Sequence, residues 1–201
     1  MFAAFAHGFI LAIGLIMPLG VQNFFVFSQG AVRRFGRALP IVVTAGVCDT
    51  LLILLAVSGV SVVVLNFEWM KTVLVVLGVL FLLYMGYKTW RTKPETNREG
   101  ERAESTVSRL IGYTLMISIL NPHAILDTIG LIGTSSLRYT GTAKIAFTSA
   151  CVLVSWFWFF LLAAAGHLLG SRDPSGRFVA VLNRLSAVVM WAAAVYLVFT
   201  M

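Results

Sequence analysis

The chain has 201 residues, 59% hydrophobic and only 11% charged, with a formal net charge of +7 and a mean hydropathy of +0.93. A soluble domain carries about 25% charged residues, so this composition excludes an ordinary water-soluble fold and points to a surface that faces lipid. The basic residues sit in short connections between apolar segments, and no basic stripe is interleaved with aromatics, which argues against a nucleic-acid partner.

A membrane-spanning helix needs about 20 mostly apolar residues. Six segments qualify, at residues 3–27, 40–65, 70–88, 110–132, 143–169 and 178–200, and they predict an all-α membrane protein. No Lys or Arg precedes Arg33, so the basic start of a signal peptide is missing and the first segment is expected to stay as a helix. That segment carries Pro18 and Gly20 near its middle, followed by Gln22 and Asn23. A mid-segment proline removes a backbone hydrogen bond. A helix broken at Pro18 and Gly20 exposes carbonyl and N–H groups that can bind the charged ends of a substrate; a mere packing kink is the alternative. Gln22 and Asn23 add neutral hydrogen bonding.

The second segment holds Asp49, between Cys48 and Thr50. The third is flanked by Trp69 and Trp90, which with Trp191 fit interfacial belts. Residues 91–108 mix charge with Pro94 and Gly100 and read as a solvated linker. The fourth segment carries Asn121, Pro122 and His123, then Asp127. His123 either joins a proton relay, for which its ordinary pKa is suited, or is a capping residue. In the fifth segment Trp156 either lines a pocket, offering its ring face to a cation, or is lipid-facing bulk. His7 and His167 read as interfacial, Cys48 and Cys151 as buried thiols, and Gly8, Gly14, Gly130 and Gly133 as close-packing positions.

The connections alternate in charge. Odd-numbered connections hold twelve of the fifteen Lys and Arg residues and even-numbered ones hold three. The positive-inside rule places the odd connections in the cytoplasm and both termini outside. The linker divides the chain into a three-helix half at residues 1–90 and another at 109–201. Each half opens with a segment broken near its middle by proline, with Asn23 five residues after Pro18 and Asp127 five residues after Pro122. An odd number of helices per half inverts the second half, so the expected fold is two inverted three-helix repeats with broken helices 1 and 4.

Asp49 and Asp127 are the strongest signals of function. A carboxylate at the bilayer centre costs about 2.5–3.5 kcal/mol on insertion scales, and such acids usually bind a cation or relay protons; the alternative is a structural pairing with a nearby hydroxyl. No Lys or Arg lies deep in a segment to neutralise them. Two such acids favour an ammonium, a guanidinium or a proton as guest. No phosphate loop, nucleotide motif, Ser-His-Asp set or zinc spacing occurs, so neither an enzyme nor a cofactor or resident metal is expected.

At these same residues the chain resembles the LysE-type amino-acid exporters, and most of all their arginine-exporter branch. The likeness rests on Pro18-Leu19-Gly20-Val21-Gln22-Asn23, Gln29-Gly30, Cys48-Asp49, Asn121-Pro122-His123-Ala124-Ile125-Leu126-Asp127-Thr128, Ser155-Trp156-Phe157, Leu182-Asn183 and Val189-Met190-Trp191. It implies a transporter of a bacterial plasma membrane that exports arginine or lysine, driven by the membrane potential or proton gradient. It also implies functional roles for Gln22, Asn23, Asp49, Asn121, Pro122 and Asp127. The family often has proline where this chain has Val21, serine where it has Cys48 and an aromatic where it has Ile125; these departures bear on the pocket and the exact substrate.

The mechanism expected is alternating access. Asn23 and the first break form half of a substrate site, and Asp127 and the second break form the other half. Trp156 is included among the substrate contacts, and Asp49, Asp127 and His123 are the candidates for coupling. The expected partners are a basic amino acid, a proton or counter-ion, the bilayer and a second copy in a homodimer. Competing readings are an exporter of homoserine, threonine or a metal cation, and a non-transporting membrane subunit or enzyme.

Overall fold

The structure is a computed structural model that describes residues 1–17, 20–33, 35–59, 68–91, 107–119, 121, 124–125, 128–171 and 177–199. The regular structure among the described residues is helical, without a strand. The helices are α1 (Phe2–Ile16), α2 (Val21–Val32), α3 (Phe35–Val57), α4 (Glu68–Arg91), α5 (Val107–Ile119), a short α6 (Thr134–Ser136) that continues a π-helical turn at Thr128–Gly133, α7 (Gly141–Gly170) and α8 (Arg177–Phe199).

The first predicted segment is broken, as expected. α1 ends at Ile16, α2 begins at Val21, and the two axes meet at 76°. Gly20 caps α2 in an extended conformation. Among the described residues α3 and α7 are each long and apolar enough to cross a membrane, and the bent pair α1 and α2 makes a third crossing if taken as one span. At 1.5 Å per residue α3 runs for about 35 Å and α7 for about 45 Å, against a hydrocarbon core of about 30 Å. α4 and α8 occupy the third and sixth predicted segments, and the fourth corresponds to the short apolar α5 followed by the π-helical turn.

α7 is the hub of the packing. α1, α2 and α3 all lie against it, while α4 packs on α8, and α3 also meets α5 and the π-helical turn. Small residues set these distances. A Cβ on Gly166 or Gly170 of α7 would strike the backbone of Phe27 or Ala31 in α2, and one on Gly30 would strike that of Ala163. Gly8 approaches Phe147 in the same way, as expected for a packing glycine, but Gly14 and Gly130 differ from the expectation: nothing lies within 4 Å of a Cβ built at either. In the order of the predicted segments, the first meets the fifth, the fourth meets the second, and the third meets the sixth. Exchanging the two halves leaves these three pairings unchanged; the contact of the first segment with the sixth has no counterpart between the fourth and the third among the described residues.

Contacts near the helix ends tie neighbouring helices together. His7, near the N-terminus, has its Nδ1 2.9 Å from the hydroxyl of Tyr139 in the fourth connection. At the other end His167 Nδ1 lies 3.2 Å from the carbonyl of Arg33, Lys88 donates to the Tyr113 hydroxyl, and the Arg184 guanidinium lies 5.9 Å from the Trp90 ring centre. These contacts place the end of α2 beside the end of α7, and the end of α4 beside α5 and α8. The Trp90 and Trp191 rings lie tilted to each other, 5.5 Å between ring centres.

The interior has two main apolar clusters. One gathers Val26, Ile41, Val42, Leu82, Phe159 and Met190; the other gathers Ala12, Ile53, Phe147, Cys151 and Val154. Along α3 the clusters lie to either side of Asp49, and along α7 to either side of Ser155.

Candidate functional site

A polar layer occupies that junction. Ser155, at the middle of the 30-residue α7, is fully buried and donates from Oγ to Asp49 Oδ2 at 2.8 Å. Gln22, buried on the first turn of α2, donates from Nε2 to Asp49 Oδ1 at 3.3 Å. Both carboxylate oxygens are thus held, and by neutral donors from two other helices. Asp49 itself is half-buried. One residue further along each helix a second bond forms: the Trp156 indole N–H donates to Thr50 Oγ1 at 3.0 Å. Thr50 Oγ1 in turn donates to the Gly46 carbonyl at 2.7 Å. Gly46 is required here, because a Cβ would come within 2.9 Å of the Trp156 ring. Consecutive residues of α7 therefore clasp consecutive residues of α3, and α3 stands in a fixed register at Asp49.

Asn23 has a different duty from Gln22. Its Nδ2 donates to the Ile16 carbonyl at 2.7 Å. That carbonyl lies in the last turn of α1, where the break removes the usual helical partners. In an apolar surrounding an unsatisfied carbonyl is costly, so Asn23 stabilises the break by bridging it. Sequence reasoning assigned Asn23 to the substrate; the described geometry gives it this structural bond.

α5 stops at Ile119, and the Asn121 side chain accepts the backbone N–H of Ala124 at 3.4 Å, as a residue opening a helical turn does. Pro18, Pro122, His123 and Asp127, all named from sequence, lie outside the described residues. One turn before Asn121, Ser118 is fully buried, its hydroxyl beside the Cys48 thiol. The described geometry thus joins Gln22, Asp49 and Trp156 in one layer and leaves Asn23 at its edge.

Ser155 and Thr50 were not singled out as site residues. Ser155 stands 106 positions from Asp49, beyond the reach of any local pattern. The available signal was that Ser155 lies at the centre of the longest apolar segment and beside Trp156. Trp156 is half-buried: its ring covers Gly46 and its N–H is bonded to Thr50.

Chemically, the layer presents a carboxylate at mid-depth whose hydrogen-bond partners among the described residues carry no charge. The 2.8 Å bond from Ser155 is of ordinary O–H···O length, and the 3.3 Å contact from Gln22 is long. Oδ1 is the more easily vacated of the two oxygens.

Comparison with known proteins agrees with a transport role. The model of the LysE type translocator family matches residues 13–200. The chain is 54% identical over 194 residues to the "Putative amino-acid transporter YisU" of Bacillus subtilis, covering 96% of this chain and 88% of the relative. It is 31% identical to the arginine exporter protein ArgO of Salmonella typhimurium, over 96% of this chain and 92% of the relative. The same identity holds to ArgO of Pectobacterium carotovorum, over 98% and 97%. No solved structure matches the chain. With the family model spanning almost the whole chain and relatives aligned nearly end to end, the protein belongs to the LysE family of membrane translocators, as an amino-acid transporter and not an enzyme.

Proposed function

We propose that this protein exports basic L-amino acids, arginine or lysine, across a bacterial plasma membrane. The observation that carries the proposal is the Asp49 carboxylate, held at mid-depth by Gln22 and Ser155 without a cationic partner among its described bonds. An acid so placed costs free energy unless it binds a cation or a proton in the working cycle. The arginine-exporter relatives support the same substrate class.

The cation of the substrate side chain meets Asp49, with Asp127 and the groups freed at the second break completing the site. Two inverted repeats, at residues 1–90 and 109–201, rock about the midplane to expose it to either side. Three pairings of segments that survive exchange of the halves support this repeat, and the contacts joining the end of α2 to that of α7 and the end of α4 to α5 and α8 support a six-span path with both termini outside. An inside-negative potential opposes exit of each positive charge by about 2.3 kcal/mol per 100 mV, so export is coupled to an inward-moving proton carried by Asp49 or Asp127, with His123 as the relay. A homodimer is the proposed assembly.

Counterflow tests the substrate. Proteoliposomes are loaded with unlabelled arginine, lysine, threonine or leucine and supplied with labelled arginine outside. Accumulation of label with arginine or lysine inside, and not with threonine or leucine, is the expected result. Labelled threonine or leucine exchanging as well as arginine overturns the cation-based reading while leaving the family intact.

A further inference from the structure

Away from the polar layer, a crevice of about 620 Å³ opens between the end of α3 and the start of α7. Its wall is apolar, with Leu54 and Val57 from α3 and Ile145, Val152 and Leu153 from α7. Lys144 is the charged side chain that lines it. The volume lies within the usual range of sites for small amphiphilic ligands, roughly 300–1,000 Å³.

Three features define the occupant. The first is depth. Along α7 the lining runs from Gly141, at the membrane-surface end of the helix, to Leu153, two residues short of the mid-depth Ser155. At 1.5 Å per residue this is about 18 Å, near one half of a hydrocarbon core of about 30 Å. A helix of a second copy would cover the whole thickness, whereas a single acyl chain covers one leaflet.

The second feature is the position of the charge. Lys144 lies in the first turn of α7, where the helix dipole disfavours a cation. It is also one of only three basic residues in the even-numbered connections, so membrane topology does not account for it. The third is the local sequence. From Thr128 to Arg172 it contains no Asp or Glu, and Arg138 adds a further exposed cation shortly before α7. An apolar channel one leaflet deep, with positive charge at its surface end, has the form of an anionic lipid.

We propose that the crevice between α3 and α7 binds one anionic phospholipid, with an acyl chain along Leu54, Val57, Ile145, Val152 and Leu153 and the phosphate on Lys144. The lipid tail ends beside the Ser155–Asp49 and Trp156–Thr50 clasp. It therefore packs the same α3–α7 contact that orients the carboxylate.

The test uses full-length protein, purified in detergent, stripped of lipid and offered equal phosphatidylglycerol and phosphatidylcholine. Tightly held lipid is counted by native mass spectrometry. Wild type is expected to retain a phosphatidylglycerol molecule in about fivefold preference, the size expected of one interfacial cation. Lys144→Gln is expected to lose that one molecule's preference, and Lys144→Arg to restore it. Val152→Trp fills the channel and is expected to expel the lipid while leaving Lys144 in place; a helical melting curve like that of wild type verifies its fold. The same phosphatidylglycerol count in wild type and Lys144→Gln overturns the proposal, and so does wild type without preference between the lipids. Efficient disulfide capture of a second copy through Leu153→Cys, with no lipid retained, also overturns it and assigns the crevice to a dimer contact.

Discussion

Replacing Asp49 by Asn isolates the charge from the shape of the site. The two side chains have nearly the same volume. An amide oxygen can still accept the 2.8 Å bond from Ser155, and Gln22 can turn its own amide to meet the new N–H. The fold and the α3–α7 clasp through Thr50 and Trp156 should survive. A hydrogen bond to a charged group is worth about 1.5–3 kcal/mol. At 1.4 kcal/mol per tenfold, the loss corresponds to about a 10- to 100-fold weaker hold on a cationic substrate. Arginine counterflow in proteoliposomes should fall by at least the lower figure at subsaturating substrate, with unchanged melting temperature and unchanged recovery from the membrane. Arginine exchange within about threefold of wild type, less than 0.7 kcal/mol by the same conversion, would refute the assignment of Asp49 as the cation anchor.

Ser155→Ala removes the stronger of the two bonds to Asp49 and is expected to raise the arginine concentration needed for half-maximal exchange by about 5- to 30-fold, from the 1–2 kcal/mol typical of a buried hydrogen bond whose partner is left unpaired. Ser155→Thr, which keeps the hydroxyl, should recover most of this; a threonine variant no better than alanine would show that packing, not the hydroxyl, matters. Gly166→Ala forces a Cβ against the Phe27 backbone and should destabilise the protein by about 1–3 kcal/mol, read as a lower melting temperature in detergent. Gly14→Ala, which meets nothing within 4 Å, should leave stability unchanged or raise it.

Much of this architecture is legible in the amino-acid sequence because lipid imposes strong rules. An apolar run has to be helical to satisfy its backbone, so the segments that became α3 and α7 could be drawn from hydropathy alone. The break before Val21 followed from Pro18 and Gly20, and Asp49 was conspicuous because an acid there is expensive. What could not be read were pairings across distance. Ser155 with Asp49 and Trp156 with Thr50 each span 106 residues, and nothing local in either segment selects the other. Glycine was also ambiguous. Gly8, Gly30, Gly46 and Gly166 mark close helix contacts while Gly14 and Gly130 do not, and spacing alone does not separate the two kinds. The bond from Asn23 to Ile16 was hidden for a third reason: it answers a need created by the break, and the geometry of a break is not contained in the residues that cause it.

The packing also constrains how a substrate reaches Asp49. α2 is seated on α7 through backbone contacts at Gly30, Gly166 and Gly170, and α3 is held to α7 by the Ser155 and Trp156 bonds. A cation that displaced Ser155 would have to break a 2.8 Å bond to a fully buried hydroxyl and leave that hydroxyl unsatisfied. A cation that displaced Gln22 would replace a 3.3 Å contact with a charged one. Gln22 lies at the N-terminal turn of α2, next to the break, so its amide can be withdrawn by a small rotation of that turn while the glycine contacts further along α2 stay closed. Under the proposed function the substrate therefore takes Oδ1, Ser155 keeps Oδ2, and binding is reported first at the break between α1 and α2.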